Sequence, residues 1–191
     1  MIDSIFVNIG NAVVNGFNYF LQLLGMYQKK AKLVVCGLDN SGKTSIIHMI
    51  MYNQLIQTIP TLRILESTFV YNGIELNTFD LSSREPFKRM VSYLNDCDAI
   101  IYVVDVSNPL RFAEAREELD YLFQNDLFLT IPIAICLNKI DRDNTPSPED
   151  VLSQLNIHSI NNMYRPLRVF KTSVIKRNTL VPVFTWITDS L

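Results

Sequence analysis

The sequence predicts an α/β fold: a six-stranded, mostly parallel sheet with one antiparallel edge strand, helices on both faces, and an amphipathic helix at the N-terminus. Three observations carry this. Short apolar runs at 32–36, 99–104, 131–137 and 167–170 are separated by helix-length segments, the alternation that yields parallel strands joined by helical crossovers. Two further strand-like runs, 64–71 and 74–79, are joined by Asn72-Gly73, a strong two-residue hairpin signal, so that pair must be antiparallel. Ahead of them all, Asn8, Asn11, Asn15, Asn18 and Gln22 recur at alternating steps of three and four, which places them on one helical stripe.

The opposite face of that first helix carries Ile2, Ile5, Phe6, Ile9, Val13, Phe17, Phe20, Leu21 and Leu24. Asp3 stands where a signal peptide wants positive charge, and the polar residues break any run of about 20 apolar residues that a membrane span needs. Such a helix either packs on its own domain or lies in a lipid interface. Its bulky Phe6, Phe17, Tyr19 and Phe20, with Lys29, Lys30 and Lys32 following to meet anionic head groups, point to the membrane surface. Residue 2 is Ile, so N-myristoylation is not expected and the helix must hold the membrane by itself. Gly10, Gly16 and Gly25 lower its helicity, so it is expected to order only on contact with lipid or with its own domain. The expected organisation is a membrane-binding segment, 1–28, and one domain, 29–191.

Within that domain the first strand, 32–36, runs into a glycine-containing loop and a helix at 46–51. After the hairpin and the strand at 99–104 comes a helix at 110–124, with Arg111, Glu114, Glu117 and Glu118 on its polar side. The strand at 131–137 is followed by a short helix at 148–155 after the Pro146/Pro148 punctuation, the strand at 167–170 and a last helix at 179–191. Hydrophobic residues are 48 % and charged residues 19 % of the chain, a globular composition. Lys plus Arg number 17 against 19 Asp plus Glu, a balance without the basic footprint of a nucleic-acid binder. Cys36, Cys97 and Cys136 are widely spaced and odd in number, which suits a reducing compartment and, for Cys36 and Cys136 in apolar runs, a structural role. His48 and His158 are isolated and are assigned no site.

The chemistry concentrates in two motifs. Gly37-Leu38-Asp39-Asn40-Ser41-Gly42-Lys43-Thr44 fits G-x-x-x-x-G-K-[ST] between a strand and a helix. Its glycines let backbone N–H groups converge on phosphate oxygens, and the helix N-terminus adds positive partial charge. Lys43 is expected to reach the β- and γ-phosphates and the Thr44 hydroxyl to ligate Mg²⁺; Asp39, Asn40, Ser41, Gly42 and Ser45 complete the cradle. Asn138-Lys139-Ile140-Asp141 follows an apolar strand and resembles the guanine motif of small GTPases. A carboxylate at Asp141 accepts from both donors on guanine's edge, whereas adenine would leave it unpaired. That argues against a P-loop kinase or ATPase.

Around these motifs the chain resembles the Sar type of the Arf/Sar small GTPases. The similarity lies in Leu24-Gly25-Met26-Tyr27 before Gln28-Lys29-Lys30, in the loop 37–44, and in Pro60-Thr61-Leu62, Arg165-Pro166-Leu167 and Val169-Phe170. It continues through Ser173-Val174, and Thr172-Ser173-Val174 look like the second base-contacting loop. The resemblance implies a P-loop small GTPase fold that binds GTP or GDP with Mg²⁺. By resemblance, Thr61 completes the Mg²⁺ coordination, Asp80 acts on the ion through water, and Asp39 approaches it too. It further implies a cytoplasmic switch, peripheral on the endoplasmic reticulum and Golgi, that recruits COPII coat subunits for vesicle budding under an exchange factor and a GTPase-activating protein. The C-terminal Asp189-Ser190-Leu191 carries no prenylation motif.

One departure bears on catalysis. Where the Sar pattern has Gly-Gly-His after Asp80-Leu81, this chain has Ser82-Ser83-Arg84. Ser83 keeps an N–H but loses glycine's backbone freedom, and Arg84 cannot accept a proton from water. Arg84, in the catalytic position, can at most stabilise charge as an arginine finger does. The expectation is intact nucleotide binding with slow or absent hydrolysis, either in a cycling switch or in a scaffold that recruits partners without turnover.

Overall fold

The computed structural model describes residues 29–55, 64–81, 96–157 and 166–191. The N-terminal helix with its apolar residues Ile2 through Leu24, the proposed ligand Thr61, and Ser82, Ser83 and Arg84 lie outside the described residues, as does Arg165.

The described elements are β1 (Lys29–Cys36), α1 (Lys43–Tyr52), β2 (Leu65–Tyr71), β3 (Ile74–Asp80), β4 (Ala99–Asp105), α2 (Phe112–Gln124), β5 (Ile133–Asn138), α3 (Pro148–Gln154), β6 (Leu167–Lys171) and α4 (Val181–Ser190). One six-stranded sheet runs in the order β2-β3-β1-β4-β5-β6. Only β2 pairs antiparallel, with Tyr71 opposite Ile74 across the Asn72-Gly73 turn. The remaining pairs are parallel. Both turn residues have positive φ, 48° at Asn72 and 77° at Gly73, the backbone that such a hairpin turn requires.

The central strands read as unbroken apolar runs because both faces are covered. Alternate residues go to opposite layers. Val34, Ile100, Tyr102, Val104, Ile133 and Ile135 pack under α2 and α3 against Phe112, Ala115, Leu119, Leu122 and Val151. Leu33, Val35, Ile101, Val103, Ala134 and Cys136 pack under α1 and α4 against Ile46, Ile50, Val183, Phe184 and Ile187. Phe184 sits 6.1 Å from Phe69 and 5.7 Å from Tyr71, ring centre to ring centre, and so fastens the hairpin to the last helix.

Element ends move from the expected ones for local reasons. The helix expected at 110 starts with a 3-10 turn, Pro109–Arg111, because Pro109 sits at its first position without a donor. The strand expected at 131 begins after Pro132, whose carbonyl accepts from the Ile100 N–H. The last helix begins at Val181, preceded by a 3-10 turn at Arg177–Thr179. The first strand reaches back to Lys29, so the three lysines expected to meet head groups belong to the sheet. Lys29 Nζ donates to the Leu191 carbonyl, Lys30 pairs with Glu75 at 2.9 Å, and Lys32 Nζ lies 5.2 Å from the Phe79 ring centre. Glu118, expected on the polar face of α2, is instead half-buried and accepts from the Tyr102 hydroxyl at 2.7 Å. An apolar strand run gave no hint that the buried Tyr102 would demand an acceptor.

Two measurements check this packing. Phe184→Ala is expected to cost about 3–5 kcal/mol in urea unfolding, because a fully buried ring joining hairpin and helix leaves a cavity. Burial holds the Glu118 carboxyl above its ordinary 4.5, with Tyr102, Lys43 and Arg111 pulling the other way. The folded state therefore binds its proton more tightly than the unfolded chain, and stability falls as pH rises above about 4.5 toward the folded value. Glu118→Gln keeps an acceptor for Tyr102 and removes that loss. It should be at least as stable as the parent at pH 7, with the difference shrinking as pH is lowered toward 4.5 in parallel melts.

Candidate functional site

The described site residues lie at or follow the carboxyl ends of β1, β3, β5 and β6, around the place where the strand order reverses. The 37–44 loop is shaped by contacts that exclude side chains at two positions. Gly37 has φ +124°, and a Cβ on it would lie 2.3 Å from the Val103 carbonyl oxygen of β4. Gly42 has φ +103°, and a Cβ there would lie 2.4 Å from Asn138 Nδ2. Asn40 between them is left-handed at φ 59°, a conformation Asn tolerates.

The loop's carbonyls are each taken by a group behind it. Lys43 Nζ donates to the carbonyls of Gly37 at 2.8 Å and Leu38 at 2.9 Å. Arg111 Nη1 donates to the Asp39 carbonyl at 3.3 Å, and Lys139 Nζ to that of Asn40 at 2.5 Å. Asn138 Nδ2 donates to the Ser41 carbonyl at 2.7 Å, and the Ile46 N–H to that of Gly42 at 2.9 Å. With its oxygens turned outward, the loop leads into an α1 terminus whose cap, Gly42, has no side-chain hydrogen bond to offer. First-turn N–H groups are thus left for an anion.

Beside the loop, the Thr44 hydroxyl donates to Asp80 Oδ2 across the β1–β3 boundary. Asp80 Oδ1 and the Ser41 hydroxyl are buried, and among the described residues neither has a hydrogen-bond partner. Burial raises the Asp80 carboxyl, opposed by Thr44 and Lys43; burial also lowers Lys43, opposed mainly by the Asp80 charge. A hydroxyl and a half-satisfied buried carboxylate are hard oxygen donors, and they fit Mg²⁺. Thr44 and Asp80 would hold the ion, directly or through water, and bound Mg²⁺ would offset phosphate charge. The Asp39 carboxylate is occupied elsewhere: it accepts from Arg111 Nη1 at 2.6 Å. Burial, which pushes its pKa up, is outweighed by Arg111, and the carboxyl is held below its ordinary value. The structure thus pairs Asp39 Oδ1 with Arg111, and Thr44 with Asp80. No cluster of three His, Cys, Asp or Glu suited to a metal occurs among the described residues.

The second motif grips the first. Asn138 ends β5 fully buried, and its Oδ1 accepts from the Thr172 hydroxyl at 3.3 Å. Lys139, at φ 69°, ion-pairs with Asp105 at 2.6 Å. Ser173 donates its hydroxyl to Asp141 Oδ1, which aims that carboxylate, and its own N–H donates to the Thr179 hydroxyl at 2.9 Å. Val174 is a core residue packed with α4. Asp105, Arg111 and Thr179 were not singled out from the sequence for this site. Asp105 had a signal, an Asp at the end of an apolar strand like Asp80; Thr179 acts only through its contact with Ser173. The three cysteines are free and buried, with Cys97 and Cys136 pushed up by burial to about 12, which suits their structural role.

A phosphate loop cross-braced to a guanine-type loop at the strand ends of a parallel sheet defines a guanine-nucleotide-binding P-loop protein. Residues 17–191 match the model of the ADP-ribosylation factor family, and the chain belongs to that family. It is 32 % identical to the small COPII coat GTPase SAR1 of Giardia intestinalis over 92 % of this chain and 97 % of that protein. It is equally, 32 %, identical to ADP-ribosylation factor 3 of Arabidopsis thaliana, over 85 % of this chain and 89 % of that protein. The SAR1 of Nicotiana tabacum is 30 % identical, covering 93 % and 98 %. In fold it is similar to the Arl6 BBS3 small GTPase of Trypanosoma brucei, solved with the nucleotide analogue GppNp, at TM-score 0.76 and 23 % identity over 85 % and 97 % of the two chains. As a member of this family the chain is a GTP-binding switch with GTP or GDP and Mg²⁺ as its cofactors, and its relatives are GTP hydrolases.

Gly42→Ala is expected to fold and to lose guanine-nucleotide affinity by at least about 100-fold, because the added Cβ displaces Asn138 and strains the loop. Titration of labelled GDP, with a melting curve as control, checks both parts.

Proposed function

We propose that this chain is a Sar-type membrane switch: GTP binding releases the N-terminal amphipathic helix onto the endoplasmic reticulum, and the loaded protein recruits COPII coat subunits for transport toward the Golgi. Exchange factor and GTPase-activating protein set the two directions of the cycle. The observation that supports guanine nucleotide as the controlling ligand is the double brace from Asn138 to Ser41 and from Lys139 to Asn40, which couples base recognition to phosphate recognition. The Sar identity is favoured by the SAR1 relatives, which span nearly the whole chain, and by the apolar stripe Ile2–Ile5–Phe6–Ile9–Val13–Phe17–Phe20–Leu21–Leu24. No described helix is long and apolar enough to cross a membrane.

In this reading the 39–45 segment with Lys43 binds the phosphates, Thr44, Thr61 and Asp80 hold Mg²⁺, and Asn138, Lys139, Asp141, Ser173 and Val174 surround the base. Ser83 and Arg84 favour a second reading, a GTP-loaded scaffold with the same partners and little intrinsic hydrolysis, since Ser83 lacks glycine's backbone freedom and Arg84 cannot accept a proton from water as a neutral His can.

Two measurements test the proposal. Asp141→Ala should weaken GTP binding by about 10⁴-fold, because a site built to accept guanine's donors loses its acceptor. Single-turnover GTP hydrolysis with Mg²⁺, with and without liposomes and coat subunits, should be slow alone and accelerate when the partners are present. Tight binding with no turnover under any condition would replace the switch by the scaffold. Failure to bind liposomes when GTP-loaded would remove the membrane role.

A further inference from the structure

Arg111 belongs to neither nucleotide motif, yet it touches the phosphate loop at its one charged exposed residue. Its Nη1 donates to both the carboxylate and the carbonyl of Asp39, while Nη2 donates to Glu114 at 2.8 Å and Nε reaches both Glu114 oxygens at 3.3 Å. The guanidinium is thereby anchored on α2 with one edge and extended to the loop with the other, a use of both sides of the fork that Lys cannot copy. A cavity of about 250 Å³ lies beside this contact, lined by Leu38, Asp39, Asn40, Asp105, Arg111 and Phe112 among others. Leu38 packs on the core layer under α2, and the Arg111 bridge ties the next residue, the exposed Asp39, to the start of that helix.

Its neighbours show what is at stake. The carbonyls before and after Asp39 are held by Lys43 and Lys139, so Arg111 completes an unbroken row of outward-held oxygens. Asp39 also brings a negative charge into a loop that must hold a polyanion, and an unpaired carboxylate there repels the nucleotide more as its charge increases.

We propose that Arg111 is a positioning residue of the phosphate loop: it holds Asp39 back against α2 and offsets its charge, and so favours retention of GTP over GDP. This rests on guanine-nucleotide binding by the loop.

Release of fluorescent GDP and of a fluorescent non-hydrolysable GTP analogue from the full-length protein with Mg²⁺ tests it. R111A should speed release of the GTP analogue about fivefold, in line with a half-exposed ion pair, and that of GDP distinctly less. In a D39N background the same change should add little, because the charge to be offset is gone, and added salt should narrow the gap between the two nucleotides. R111K should fall between parent and R111A, and it carries the comparison if R111A does not fold. Equal acceleration of both nucleotides, an undiminished effect in D39N, or unchanged release by R111A or R111K would each overturn the proposal. Parent protein that retains neither nucleotide would overturn the binding reading itself.

Discussion

The structure depends on a direction: the carbonyl oxygens from Gly37 to Gly42 all face the protein. A loop that must present N–H groups to an anion has to dispose of its oxygens, since each buried carbonyl left unpaired is costly. Here the partners come from α1, the start of α2 and the end of β5, three pieces of chain separated by dozens of residues. The two glycines are consequences of the same demand. Where oxygens are pulled back against β4 and Asn138, there is no room for a Cβ.

That demand also links recognition of base and phosphate. Asn138 has its amide on the loop and its oxygen on Thr172, so the residue that opens the guanine motif serves first as a strut. Asp141 is set by Ser173, which is set in turn by Thr179 at the entry to α4. The Asp141 carboxylate is therefore braced by Ser173 and the phosphate loop by Asn138, both at the ends of neighbouring strands β6 and β5. A rigid strand end is a better mount for both than a free loop.

Charge is handled by burial in depth. Lys43, Asp80 and Glu118 are each shifted toward neutrality by desolvation; the two carboxylates oppose the shift of Lys43, and Lys43 opposes theirs. Asp80 Oδ1 and the Ser41 hydroxyl are buried without a hydrogen-bond partner among the described residues. Buried polar groups are ordinarily paired, and hard oxygen atoms of this kind suit a cation. Membership in the ADP-ribosylation factor family gives this arrangement its cofactors; the particular coat and membrane rest on the Sar-like segments and relatives.

By itself the sequence determined the sheet, its one antiparallel hairpin and both nucleotide motifs, because these are local. Strand period, a two-residue Asn-Gly turn and a glycine-spaced loop before a helix all express backbone preferences within a few residues. It also carried the departure at Ser82-Ser83-Arg84, which is a matter of residue type alone. Only the tertiary structure decided the rest. Glu118 looked like a surface residue by helical spacing and became the acceptor for a buried tyrosine from another strand. Asp39, a loop residue in the sequence, is half of an ion pair with Arg111, 72 positions away. The physical reason is common to both: a side chain's role as ligand, brace or solvated charge is set by which partner reaches it first in three dimensions, and spacing along the chain does not encode that distance.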